Sequence, residues 1–339
     1  MGISAPELAE GPSALDDAPE GQKLAGRSPT RIAMERLRKD KVAVVCIAIV
    51  VIMVLAAIFA PLICHLMNIY PTIQSMPYNA DQVLDFGTLL PKHGPPDHGF
   101  WPAHPLGLAP QVGYDNLARL LYGLRTSMLV ATLATVLSVV LGVVIGLMAG
   151  FSRGWLDRVL MFVTDLFLSF PFILGAMAMA PILVAHFGHP GQLSQLGRAQ
   201  LFSLVAILVI FGWMGLARLI RGQVLSLRER EFVQAAQVMG VPTSRILFKE
   251  LLPNLVAPIV VATSLYLPGY VTAEAGLSFL GIGLTGQPSL GQTINEASNW
   301  WSTYPLFLWA PVITITVLVL ALNLLGDSIR DAFDPKTRR

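Results

Sequence analysis

Few residues in this 339-residue chain are of types that do chemistry, and their spacing excludes most of it. Asp165 and Glu274 are carboxylates inside long apolar runs, where each costs roughly 3 kcal/mol at a bilayer centre. Such a group lines a substrate path, couples an ion, or is held by a partner. Asp165 lies near one end of its run, within reach of water or Arg158, and Glu274 lies near the opposite membrane surface. Both are candidate pathway residues, and an interfacial or hydrogen-bonded structural role is the plainer reading. His93, His98, His104, His186 and His189 fall in polar, Pro- and Gly-rich loops without a compact ligand spacing. They are expected to be solvated, and no metal site is expected. A P-loop requires Gly-Lys-Ser/Thr after a glycine-rich turn, and the chain has no Gly-Lys dipeptide, no nucleophile elbow and no HExxH. Binding and movement remain, rather than catalysis by this chain alone.

The residues suited to binding another protein lie between Arg218 and Asn254, the most charged long stretch of the chain. Phe232, Ala235, Ala236 and Met239 recur at i, i+3, i+4 and i+7, one face of a short helix. Glu229 and Glu231 suit its N-terminus, and Gly240 supplies a left-handed cap. Pro242, Thr243 and Ser244 restart the chain, with Thr or Ser as a cap. Ile246, Leu247, Leu251 and Leu252 then form an apolar side up to Pro253. Two helices broken at Gly240–Pro242 therefore lie along a membrane surface. Small alanines permit close docking, and the Phe/Met pair fills a groove in a partner.

These residues need a scaffold, and composition says which kind. Hydrophobic residues make up 54% of the chain and charged residues 13%, against about 25% charged in soluble domains. Six runs reach the roughly 20 apolar residues that span a bilayer: 42–66, 127–150, 159–185, 201–220, 254–275 and 306–326. Pro171 and Pro181 interrupt the third of them, and Pro268 the fifth. Of the 23 Lys and Arg, 19 fall in 1–41, 151–158, 218–253 and 327–339. The positive-inside bias puts those segments and both termini in the cytoplasm. Residues 1–28, rich in Ala, Pro, Gly and acids, read as a disordered cytoplasmic tail. An amphipathic segment and the first span follow over 29–66. The outer segment 67–126 ends in a short amphipathic helix carrying Leu117, Leu120, Leu121 and Leu124. The remaining five spans occupy 127–327 around the 218–253 loop, and 328–339 is a cytoplasmic tail. Cys46 and Cys64 share one helix about 27 Å apart, too far to pair. Ser138, Gly142, Gly146 and Gly150 form a small-residue stripe every fourth position, which suits close helix packing inside a bundle or at a subunit interface.

The stretch Glu231-Phe-Val-Gln-Ala-Ala-Gln-Val-Met-Gly240, with Leu-Leu-Pro253-Asn254 after it, resembles the EAA loop of ABC-importer permeases. Gln234 stands where that family usually has Glu. Further segments resemble the C subunits of dipeptide/oligopeptide permeases: His104-Pro-Leu-Gly107, Arg119-Leu-Leu-Tyr-Gly123, Gly154-Trp-Leu-Asp157, Phe170-Pro171, Glu274-Ala-Gly-Leu-Ser-Phe-Leu-Gly281 and Asn323-Leu-Leu-Gly-Asp-Ser-Ile-Arg-Asp331. Leu108 and Ala109 replace the family's Thr-Asp, Tyr114 replaces Arg, and 67–103 is longer than usual. The resemblance implies an all-α membrane protein with six transmembrane helices in the type I ABC-importer permease fold, in the cell membrane. It implies that Glu231, Phe232, Gln234, Ala235, Ala236, Met239 and Gly240 form a coupling helix docked on an ATPase. The implied partners are a homologous B-type permease, two ATPase subunits and an extracytoplasmic binding protein. ATP and Mg would be bound by partner subunits, so this chain would need no cofactor, and no nucleic acid is involved. Nickel or another small solute is the alternative cargo. Outside the family, the rivals are an ion-coupled secondary transporter using Asp165 or Glu274, and a membrane receptor or scaffold whose cytoplasmic helix recruits an ATPase without transport.

Overall fold

The computed structural model describes residues 29–72, 75–152, 154–187, 193–284 and 287–334. The tail expected over 1–28, His189 and the last five residues lie outside the described residues. Hydrocarbon leaves a chain this apolar few ways to satisfy its backbone, and helices do so internally. Among the described residues the regular structure is helical, with two isolated bridges, Leu84 to Pro91 and Leu108 to Asp115.

Helix α1 (Pro29–Lys39) stops at Asp40, whose Oδ1 accepts the Val42 N–H at 2.9 Å and caps α2 (Lys41–Met67). A single turn, α3 (Ala80–Val83), lies in the loop that follows. Helix α4 (Asn116–Phe151) starts at Asp115, whose Oδ1 accepts the Ala118 N–H at 2.8 Å. The separate short helix expected before residue 127 is instead the first part of this 36-residue helix. Nothing between Leu124 and Ser127 breaks it, because a change from polar to apolar surroundings does not require a change of backbone. At 1.5 Å per residue α4 is about 54 Å long, well beyond the ~30 Å hydrocarbon thickness.

The third expected span is two helices, α5 (Trp155–Ser169) and α6 (Phe172–Phe187), bent by 93°. Pro171 disfavours helical geometry at the residue before it, and Phe170 is extended, with ψ 129°. Pro181 and Pro268, also expected to interrupt, stay inside their helices. Phe167 and Phe172, on the two arms, both pack edge-on against Phe211, at 6.2 and 6.0 Å between ring centroids. Helices α7 (Leu193–Ile210) and α8 (Met214–Arg228) form a long apolar stretch from Gly197. After α9 (Glu231–Val238) come α10 (Thr243–Arg245), a π-helical turn (Ile246–Leu251) and α11 (Leu252–Asn254). The chain ends with α12 (Val256–Phe279), α13 (Leu290–Ala297) and α14 (Pro305–Phe333). Among the described residues, five helical stretches are long and apolar enough to cross a membrane, and the bent pair makes six.

Helix α4 is the central post, lined by α8, α12, α2 and α7, while α14 packs on α2, α12 and α1. The main core joins Val130, Ala131 and Ala134 of α4 to Ile207 and Leu208 of α7, Val271 of α12 and Leu318 of α14.

Candidate functional site

Helix α9 has the limits its sequence demands. Val233 and Gln234 donate to the Arg230 carbonyl at its start, at 3.0 and 3.1 Å. At its end Gly240 has φ +73°, and Val241 N–H reaches back to the Ala236 carbonyl at 3.0 Å. Only glycine takes that dihedral without strain. Thr243 and Ser244 do not cap the next helix, which begins at Thr243 with Pro242 at its N-cap and no side-chain cap.

The faces of α9 differ from the expected pattern at one residue. Phe232, Ala235 and Met239 point outward, with Met239 74% exposed. Ala236 does not join them: it is buried beside Val233. These two enter a cluster with Leu147 of α4, Ile220 and Val224 of α8, and Ile246, Leu251 and Leu255 beyond α10. The outer surface instead gains Val238, 89% exposed, and Phe248 on the π-helical turn. Neither residue lies on the i, i+3, i+4, i+7 face that periodicity selects. Glu231 is exposed at the first position, and Gln234 turns its amide back to the Glu229 carbonyl at 3.4 Å.

The mount beneath α9 is the seam between α4 and α8. Ser138, Gly142, Gly146 and Gly150 are all buried on α4. A Cβ on Gly142, Gly146 or Gly150 would sit 2.9, 2.7 or 2.6 Å from the Cβ of Leu216, Ile220 or Val224. The stripe therefore packs within this chain, one glycine per turn against one branched residue per turn of α8. Arg228 closes the end of the seam by donating to the Gly150 carbonyl at 3.2 Å.

Helix α5 is tied to the same α8 by two ion pairs. Arg221 grips Asp157 with two bonds, 2.6 and 2.7 Å. Asp165 is paired with Arg218 at 2.5 Å, both about half exposed. Arg158, the expected neighbour of Asp165, donates to the Gly154 carbonyl instead. Basic residues one turn apart on α8 face acidic residues two turns apart on α5, a charge spacing that is visible in the sequence once the pairing of the helices is known.

Glu274 lies toward the other end of α12, fully buried. Its Oε1 accepts the Ser278 hydroxyl at 2.7 Å, and its Oε2 is buried without a hydrogen-bond partner among the described residues. It is thus held by a residue one turn on in its own helix, remote from Asp165. His104 is also not solvated: it is buried, with Nδ1 2.6 Å from Oδ2 of Asp115, so it orients the residue that caps α4. Leu108 and Ala109 are buried beside it. Arg119, buried, donates to Glu296 Oε2 at 2.7 Å and lies 4.1 Å over the Tyr114 ring, whose hydroxyl donates to the same oxygen. Burial pushes the Tyr114 phenol above its ordinary pKa. Sequence reading did not single out Glu296, because its partner lies 177 positions away.

Residues 142–339 match the family described as binding-protein-dependent transport system inner membrane component, and residues 28–91 match the N-terminal TM domain of oligopeptide transport permease C. The chain is 31% identical to the oligopeptide transport system permease protein OppC of Bacillus subtilis (strain 168), over 96% of each chain. It is 33% identical to the dipeptide transport system permease protein DppC of Alkalihalophilus pseudofirmus, over 94% of each. A solved chain of the MetNI methionine ABC transporter, in an inward facing conformation, is similar in fold: TM-score 0.50, 20% identity, 64% of this chain and 96% of that one.

Proposed function

This chain belongs to the family of binding-protein-dependent transport system inner membrane components, and on that premise we propose that it is one of two paired permease subunits of an ATP-driven importer of di- and oligopeptides. The relatives named as oligopeptide and dipeptide permeases match nearly its whole length, which supports peptides over nickel or another small solute as cargo. The observation that carries the mechanism is α9: a short helix with an exposed Phe232, Ala235, Val238 and Met239 surface and a buried Val233/Ala236 underside. The partners are a homologous B-type permease, two ATPase subunits that bind ATP and Mg, and an extracytoplasmic binding protein. This chain hydrolyses nothing and holds no cofactor of its own. The Lys and Arg bias puts α9 and both termini in the cytoplasm of a multi-pass cell-membrane protein.

Closure of the ATPase pair displaces α9. Val233 and Ala236 pass the displacement to Ile246, Leu251 and Val224, which share their buried cluster. Helix α8 carries α4 with it through the glycine seam, and α5 through Arg221–Asp157 and Arg218–Asp165. The bundle thereby alternates access to the half of the pathway that this chain contributes.

The test is uptake by the full complex in proteoliposomes. Gly240→Val forces a β-branched residue into a left-handed dihedral at a position where an added Cβ meets no neighbour within 4 Å. The variant should assemble normally and lose both peptide uptake and transport-stimulated ATP hydrolysis. Normal uptake with normal stimulation would overturn the coupling role. Uptake that needs no ATPase and follows an ion gradient would identify a secondary transporter instead.

A further inference from the structure

At the end of the bundle remote from α9, the start of α4, the 110–112 loop, α13 and the start of α14 border an open cavity of about 570 Å³. Ligand sites run from about 300 to 1,000 Å³. Five carboxamides line it: Gln111, Gln287, Gln292, Asn295 and Asn299. A carboxamide offers an acceptor and two donors on one flat group, the complement of a peptide unit. Five of them around one space suit an extended peptide backbone better than an apolar molecule.

The acidic member of this lining is Glu296 on α13, held from behind. Its Oε2 accepts from Arg119 and from the Tyr114 hydroxyl, and the Arg119 guanidinium lies over the Tyr114 ring. Arg119 is only 5% exposed, so this side of the carboxylate is fixed by buried donors. Oε1 makes no hydrogen bond among the described residues, and about a third of the side chain remains open (32%). Two more lining residues carry buried polar atoms without a partner among the described residues, Arg119 Nε and Gln292 Oε1. Each such atom costs about 1–3 kcal/mol if left unmade, which marks a region built for more contacts than this chain supplies.

We propose that this cavity is a peptide subsite, in which the carboxamides hold a short peptide's backbone and Glu296 Oε1 takes its N-terminal ammonium. The proposal rests on the peptide-import reading and adds a recognition element within the permease itself. The α-ammonium is a strong donor at neutral pH, and a carboxylate with one oxygen fixed presents the other without reorganising.

The probe is labelled trialanine, with N-acetyl-trialanine as its uncharged counterpart, bound at equilibrium to the purified membrane complex of permease and ATPase subunits without binding protein. Trialanine should bind, and acetylation should weaken it by about tenfold, the value of a charge-assisted hydrogen bond. Glu296→Gln should weaken trialanine about as much and abolish the discrimination. Gln292→Leu should weaken both peptides alike, with thermal unfolding unchanged. Equal binding of the two peptides to the wild type, or discrimination surviving in Glu296→Gln, overturns the proposal. So does an absence of trialanine binding, as when the neighbouring permease fills the cavity. ATP-driven uptake of trialanine by the wild-type complex with its binding protein is read separately. Uptake without binding at this cavity removes the subsite and leaves peptide import standing, whereas no peptide uptake at all removes the import reading.

Discussion

The two ends of α4 are held in opposite ways. Toward α9 the helix meets α8 through Gly142, Gly146 and Gly150, with branched side chains of α8 seated directly on the backbone. At its start it is surrounded by polar groups: His104 on Asp115, Arg119 on Glu296, and Asn116 donating to the Leu106 carbonyl at 3.0 Å. Dispersion contacts weaken steeply with a gap of an ångström, so the glycine seam is a rigid joint with one good spacing. Hydrogen bonds and ion pairs can exchange partners with water or ligand. The proposed coupling at α9 and the proposed peptide subsite would use this division, a stiff joint at one end and an adaptable network at the other.

The largest blow to this contrast should come from Gly146→Leu. Its Cβ alone would lie 2.7 Å from Ile220 Cβ and 2.8 Å from the Ala217 carbonyl, and overpacking of this kind costs about 3 kcal/mol. Thermal unfolding of the purified protein should drop sharply. Gly222→Leu on α8, where a Cβ meets nothing within 4 Å, should change it little. Equal effects at the two sites would mean that the seam is not tight.

Arg119→Met tests the polar end. It strips Glu296 and Tyr114 of a shared buried partner and should cost about 2 kcal/mol. A double-mutant cycle with Glu296→Met should recover part of that loss as coupling energy, and strict additivity would argue against the pair. A smaller effect is expected for Gly240→Ala, about 1 kcal/mol from the left-handed dihedral, confined to faster hydrogen exchange of α9 amides. Smallest is Asp165→Asn, which breaks an exposed pair worth less than about 1 kcal/mol. Its effect should fade at high salt, while Asp157→Asn, which removes a bidentate and less exposed pair, should keep more of its effect. If Asp165→Asn were the more damaging of the two, with uptake lost at every salt concentration, its carboxylate would belong to the pathway rather than to the α5–α8 tie.

Legibility followed the same division. The limits of α9, its turn at Gly240 and the small-residue stripe were readable because each is local: a 3.6-residue period, a glycine dihedral, a spacing of four. Periodicity alone points Ala236 outward, because an eight-residue helix has two apolar faces and the pattern does not say which one the bundle claims. Val238 escapes the pattern for the same reason, and Phe248 because it lies beyond α9 on the π-helical turn. Nearness along the chain offers water or Arg158 to Asp165, whereas its partner Arg218 stands 53 positions away. His104 looked solvated in a Pro- and Gly-rich stretch, yet the fold buries it against Asp115.

By itself the sequence determined a helical membrane protein, the approximate number and position of its spans, and a short surface helix ending at Gly240. These follow from hydropathy, charge and backbone preference, each a property of neighbouring residues. Only the tertiary structure decided that Pro171 bends its span by 93° while Pro181 and Pro268 do not. It alone decided that the glycines of α4 serve α8 within this chain, and that Arg119, Tyr114 and Glu296 meet beside an amide-lined cavity. Those outcomes depend on which helix faces pack together, and facing is a relation between residues that the linear order does not contain.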